Sequence, residues 1–129
     1  MAALNVRFLD RFFDLHVMEV MQIAVESSLK RVPVKSEEGL VLAKERLERA
    51  YAWLERHLAG RSWAAGEDFT LADCAPSLFY ADWTHQISDA FPLLRAYRTR
   101  LLTRPSFARA VEEARPYRPL FPLGAPDRD

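Results

Sequence analysis

A single cysteine, Cys74, in 129 residues excludes an internal disulfide and any metal site built from several thiolates. Such usage suits a reducing compartment, and a cytoplasmic location is expected. Neither sign of charge dominates: acidic and basic residues number 18 each, so there is no electrostatic case for binding nucleic acid or an anionic membrane. No uninterrupted apolar run approaches the roughly 18 residues that a membrane span needs. The opening stretch MAALNVRFLDRFFD scatters its charges and lacks the basic-then-apolar order of a secretion signal. Internal repeats, low-complexity segments and strand-like alternation are also missing. No Ser-His-Asp order, phosphate loop or supported carboxylate pair is present. The three histidines, His16, His57 and His85, have no ligand spacing, so no metal site is expected.

What remains is a chain that is half apolar, enough for one core in a single domain over 1–129. From Asn5 to about Arg31 there is no Gly or Pro. Phe8, Phe12, Leu15 and Met18 form one stripe; Leu9, Phe13, Val17, Val20 and Ala24 form a second beside it. Two stripes at helical spacing predict a long first helix buried on more than one side. Arg31-Val-Pro-Val-Lys35 breaks it. Ser36 then reads as an N-cap, with Glu37 and Glu38 in the first turn. Leu40, Leu47, Tyr51, Leu54 and Leu58 carry a second helix to a C-cap at Gly60. Its charged residues, Glu48 and Glu55 among them, read as a solvated face. Phe91-Pro92 opens a fourth helix through about Thr103, and Arg104-Pro105 a fifth through about Ala114. The tail from 113, with Pro116, Pro119, Pro122 and Pro126, reads as irregular. The expectation is an all-α bundle of five helices with a buried central one.

That central, third helix runs from about Thr70 to Ile87, and its start is ambiguous. Asp73 is one candidate N-cap, which would place Pro76 harmlessly in the first turn. Thr70 is the other. Its hydroxyl would take the Asp73 amide while the Asp73 carboxylate returns to the Thr70 amide, a capping box with Phe69 and Cys74 at the staple positions. That reading puts Pro76 inside the helix and bends it. It is preferred here because both ends of the motif are satisfied. The acid is then a structural device, and Cys74 a packing residue. Leu71, Cys74, Leu78 and Ala81 would share one face, and Ala72, Phe79 and Trp83 another.

Gly66-Glu-Asp-Phe-Thr-Leu-Ala-Asp73 resembles the cap-and-staple segment of the soluble glutathione transferases, at the start of the central helix of their C-terminal domain. Arg11 to Glu19 resembles the first helix of that domain, and Leu47 to Leu58 the second. Phe91 to Tyr97 and Arg104 to Phe107 resemble its last helices. The likeness runs from about Ala3 to Pro122. It implies the helical half of such an enzyme, without the thioredoxin-like domain that supplies the catalytic residue and most of the glutathione site. Either a piece of a longer enzyme or a naturally short homologue fits.

The resemblance also implies a cleft facing that other domain, where an apolar electrophile binds. Phe13, His16 and Val17 from the first helix, with Tyr80 and Trp83 from the central one, are its expected lining. No catalytic residue and no bound cofactor are expected in this chain; glutathione would be the cosubstrate of the full-length enzyme. A homodimer is implied, through the first two helices. Two other readings stay open. One is a non-catalytic interaction module of the same helical type, and the other a small carrier of apolar ligands.

Overall fold

A computed structural model describes residues 2–29, 36–75 and 77–129. The Arg31–Lys35 break, the Ser36 side chain offered as a cap, and Pro76 lie outside the described residues. Helix α1 (Ala2–Phe12) passes through a π-helical turn (Phe13–Met18) into α2 (Glu19–Ser28). Helix α3 (Ser36–His57) returns alongside, and α2 packs along it. A 3-10 turn (Leu71–Asp73) leads to α4 (Ser77–Thr84). Then come α5 (Pro92–Thr103), α6 (Pro105–Ala114) and a 3-10 segment (Arg115–Leu120). With α1, the π turn and α2 forming one rod, this is an all-α bundle of five helical rods. Among the described residues there is no strand, only one isolated bridge between Trp63 and Gly66.

Several boundaries follow from local chemistry. Pro92 and Pro105 open α5 and α6, where a missing N–H costs nothing. Arg104, just before a proline, is extended and ends α5. Gly60 takes φ 73° in the turn after α3, a left-handed conformation that suits glycine. Glu55 leaves the solvated face assigned to it. Its two carboxylate oxygens accept the Leu93 and Leu94 amides at 3.0 and 2.8 Å, placing an anion at the start of α5.

The central rod departs from the uninterrupted helix expected over 70–87. Its first turn is 3-10, α4 is only eight residues long, and it ends at Thr84. Asp82 accepts the Ile87 amide at 2.8 Å and draws the chain back there. The tighter 3-10 turn also rotates the faces. Leu71 is 61% exposed and Cys74 is exposed, so neither joins Leu78 and Ala81 in the core. Phe69 shares the lining of one cavity with Cys74. It stands edge-on to Trp63 at 5.1 Å, with the Arg104 guanidinium 3.6 Å over its ring.

Asp73 is the polar centre of the body. The carboxylate arm of the box with Thr70 is formed, and the Thr70 hydroxyl stands at the Asp73 amide while donating to Asp73 Oδ2 at 3.4 Å. The Thr70 amide donates to Asp73 Oδ2 at 2.9 Å, while the Asp73 amide closes the 3-10 turn on the Thr70 carbonyl at 3.0 Å. The other oxygen, Oδ1, accepts the Ala64 amide at 2.9 Å and the Tyr97 hydroxyl at 2.7 Å. At 1% exposure, this carboxylate joins the 57–70 link, the central rod and α5. Burial, and then the neighbouring Asp73 charge, raise the Tyr97 phenol far above its ordinary value and keep it a donor.

The tail, read as irregular from 113, is partly ordered. Pro116 sits in the first turn of the 3-10 segment. Beyond it, Phe121 packs edge-on to Trp83 at 5.4 Å and stacks near Tyr80 at 6.0 Å. Burying an aromatic ring in this way is a reason for the tail to fold back.

Candidate functional site

The five residues expected to line one cleft fall in three places. Phe13 and Val17 are core. His16 is exposed and opens onto a groove between α1 and α3. Tyr80 and Trp83 line a separate cavity on another side. The π turn accounts for the parting of His16 from Phe13 and Val17. A regular helix would keep positions 13, 16 and 17 on adjacent lines, but i→i+5 pairing widens the turn and moves His16 away from its neighbours.

The groove holds about 780 Å³. Rings line it: Trp53 stacks on Phe12 at 4.3 Å and His16 lies 5.0 Å from Phe12, while His57, outside the lining, stacks on Trp53 at 4.8 Å. Arg11, Arg46 and Arg49 rim it. His57 is fixed by a 2.7 Å hydrogen bond to the Ala64 carbonyl. Leu4, Phe8 and Leu15 leave this side of α1 apolar and exposed.

The second cavity holds about 380 Å³ and lies between α2, α4 and the tail. Met18, Met21 and Gln22 come from α2 and the end of the π turn. Tyr80 and Trp83 come from α4, and Arg118 and Phe121 from the tail. A third cavity of about 370 Å³ shares Phe79, Tyr80, Val111 and Ala114 with it, so the two adjoin beneath α6. The exposed thiol of Cys74 borders that third space and makes a 3.6 Å contact to the Thr70 carbonyl. Sequence reasoning missed Met18, Met21, Gln22, Arg118 and Phe121. Met18 already stood in an apolar stripe, and Phe121 was a lone aromatic among prolines, which was the available signal.

Behind α4 a second buried carboxylate organises the wall. Asp82 pairs with Arg98 at 3.7 Å and more closely with Arg128, which also donates to the Asp82 carbonyl at 3.1 Å. Burial pulls the Arg98 guanidinium below its ordinary value, and Asp82 pulls it back up.

Chemically, the second cavity can hold and orient an apolar molecule. Thioethers and aromatic rings give it an adaptable, polarizable surface. Among the described residues, its lining holds no acid, histidine or thiol that could serve as a base or activated nucleophile. His85 pairs with Glu48 at 2.7 Å, away from this lining. Among the described residues no cluster of His, Cys, Asp and Glu could hold a metal ion. No helix among them is long and apolar enough to cross a membrane.

The profile of one family, described as "Glutathione S-transferase, C-terminal domain", matches residues 12–105, most of the chain. No curated protein and no solved structure matches it.

Proposed function

The chain belongs to the glutathione S-transferase C-terminal domain family, and from that membership we propose that it is the electrophile-binding and subunit-contact half of such a transferase, catalytically incomplete by itself. The observation that carries the reading is the cavity of Tyr80, Trp83, Met18, Met21 and Phe121: largely apolar, partly walled by the tail and, among the described residues, lined by no acid, histidine or thiol. Glutathione, held by a thioredoxin-like domain, would supply the attacking thiolate. The residues of this chain would position the electrophile against it and exclude water. Gln22 is the neutral polar group placed to orient a ligand from α2.

The expected electrophile site therefore moves. Tyr80 and Trp83 stay in it, Phe13 and Val17 lie in the core outside its lining, and His16 belongs to the groove. The exposed apolar side of α1, beside the Phe12–Trp53 stack, suits a second copy of the chain, in keeping with a homodimer through α1 and α3. That same surface favours the second reading, an interaction module with no enzymatic role. A reducing, cytoplasmic setting fits the single exposed thiol.

Incubating the purified 129-residue chain with glutathione and a chlorinated nitroaromatic is expected to give no conjugate above the uncatalysed background. Turnover that scales with protein and survives repurification would overturn the proposal that this half is incomplete.

A further inference from the structure

We propose that Arg118 and Arg115 form an anion subsite at the mouth of the Tyr80–Trp83–Phe121 cavity, for ligands with an apolar aromatic body and one carboxylate or sulfonate, and that Asp129 occupies it as a built-in competitor. This rests on the reading of that cavity as the ligand site.

Arg118 belongs to both places. It lines the cavity, and its guanidinium sits 5.2 Å over the Trp83 ring. Its side chain is 15% exposed. Among the described residues, the one carboxylate that reaches it is Asp129, in a close ion pair. Arg115 meets the other Asp129 oxygen at 3.2 Å and is also held by Glu112 at 2.8 Å. Arg98 donates to the Asp129 main-chain oxygen at 3.2 Å. A carboxylate whose two oxygens are each met by a guanidinium group is what an anion-binding site looks like when filled. Arg118 and then Arg115 hold the Asp129 carboxyl below its usual range.

The occupant is also replaceable. The Asp129 side chain is 43% exposed, whereas the Arg118 beneath it is sheltered. The neighbouring Arg128 ties the strap down through Asp82. An acidic ligand whose rings fill the cavity would place its charge where Asp129 now lies, leaving Arg118 paired throughout. Because Asp129 competes from within the same chain, its effective concentration is high, and removing it should tighten anionic ligands selectively.

Two fluorescent probes of one ring system separate the terms: 1-anilinonaphthalene-8-sulfonate, and N-phenyl-1-naphthylamine, which lacks the sulfonate. Asp129→Ala is expected to tighten the sulfonate about tenfold and leave the amine within about twofold. Arg118→Gln is expected to weaken the sulfonate about tenfold with little effect on the amine. Arg115→Gln, at a more exposed position, should act in the same direction by about threefold, and keeps the test decisive if Arg118→Gln fails to fold. If both probes bind but no variant separates them, the anion subsite is wrong while the cavity reading stands. If neither probe binds, the cavity reading itself falls, and this proposal with it.

Discussion

Asp73→Ala is expected to lower stability by about 3–5 kcal/mol and the melting midpoint by more than about 10 °C. A lost helix cap alone costs about 1 kcal/mol. Here the carboxylate also takes the Ala64 amide and the Tyr97 hydroxyl, both from distant parts of the chain. Alanine leaves three desolvated donors without an acceptor, each worth about 1–3 kcal/mol before the chain relaxes. Against the total stability of about 5–15 kcal/mol typical of a domain, that is a large fraction. Tyr97→Phe removes one donor and leaves the carboxylate its other bonds, so it should cost only about 1 kcal/mol. Thermal and denaturant melts of the two variants should therefore differ widely. Equal losses would show that Asp73 does not join these segments.

Gly39→Ala is expected to cost about 2–3 kcal/mol, although alanine is normally the better helix former by about 1 kcal/mol. A Cβ at position 39 would lie 1.8 Å from Ser27 Oγ and 2.6 Å from Ser27 Cβ, closer than atoms can approach. Either α2 and α3 separate or the Ser27 side chain must leave a fully buried site. Ser27→Gly in the same chain removes both atoms and should restore stability to within about 1 kcal/mol of the parent, the residual being glycine in a helix. Ser27→Ala alone should be nearly silent, because Ser27 Oγ is buried with no hydrogen-bond partner. Denaturant unfolding of the four chains reads this cycle. A Gly39→Ala variant as stable as the parent would show that the helices do not approach so closely.

Those two sites mark what was and was not legible in the sequence. Thr70 and Asp73, three residues apart, carried the capping pattern openly, because both partners of a local motif lie in one window. Pro92 and Pro105 marked the starts of α5 and α6 for the same reason. The partners Ala64 and Tyr97 were not readable, since nothing near position 73 names a residue 24 positions away. Gly39 read as one more residue of the second helix; its meaning comes from Ser27 across the interface. The π turn at Phe13–Met18 has no sequence signature here, yet it decides that His16 and Phe13 part company. The role of Asp82 was not readable, because its partners, Arg98 and Arg128, come from other elements. The tail was the largest omission. Its prolines signalled irregularity, but Phe121 and Arg118 make it a wall of the cavity.

The most direct measurement concerns that cavity. In a chain carrying Trp53→Phe and Trp63→Phe, Trp83 is the one indole left, and it faces the proposed electrophile site. Titration with 1-chloro-2,4-dinitrobenzene is predicted to quench its fluorescence along a saturating curve that Phe121→Ala weakens, with no product formed. Linear quenching at the rate of free indole, unchanged by Phe121→Ala, would contradict the assignment of this half as the electrophile-binding one.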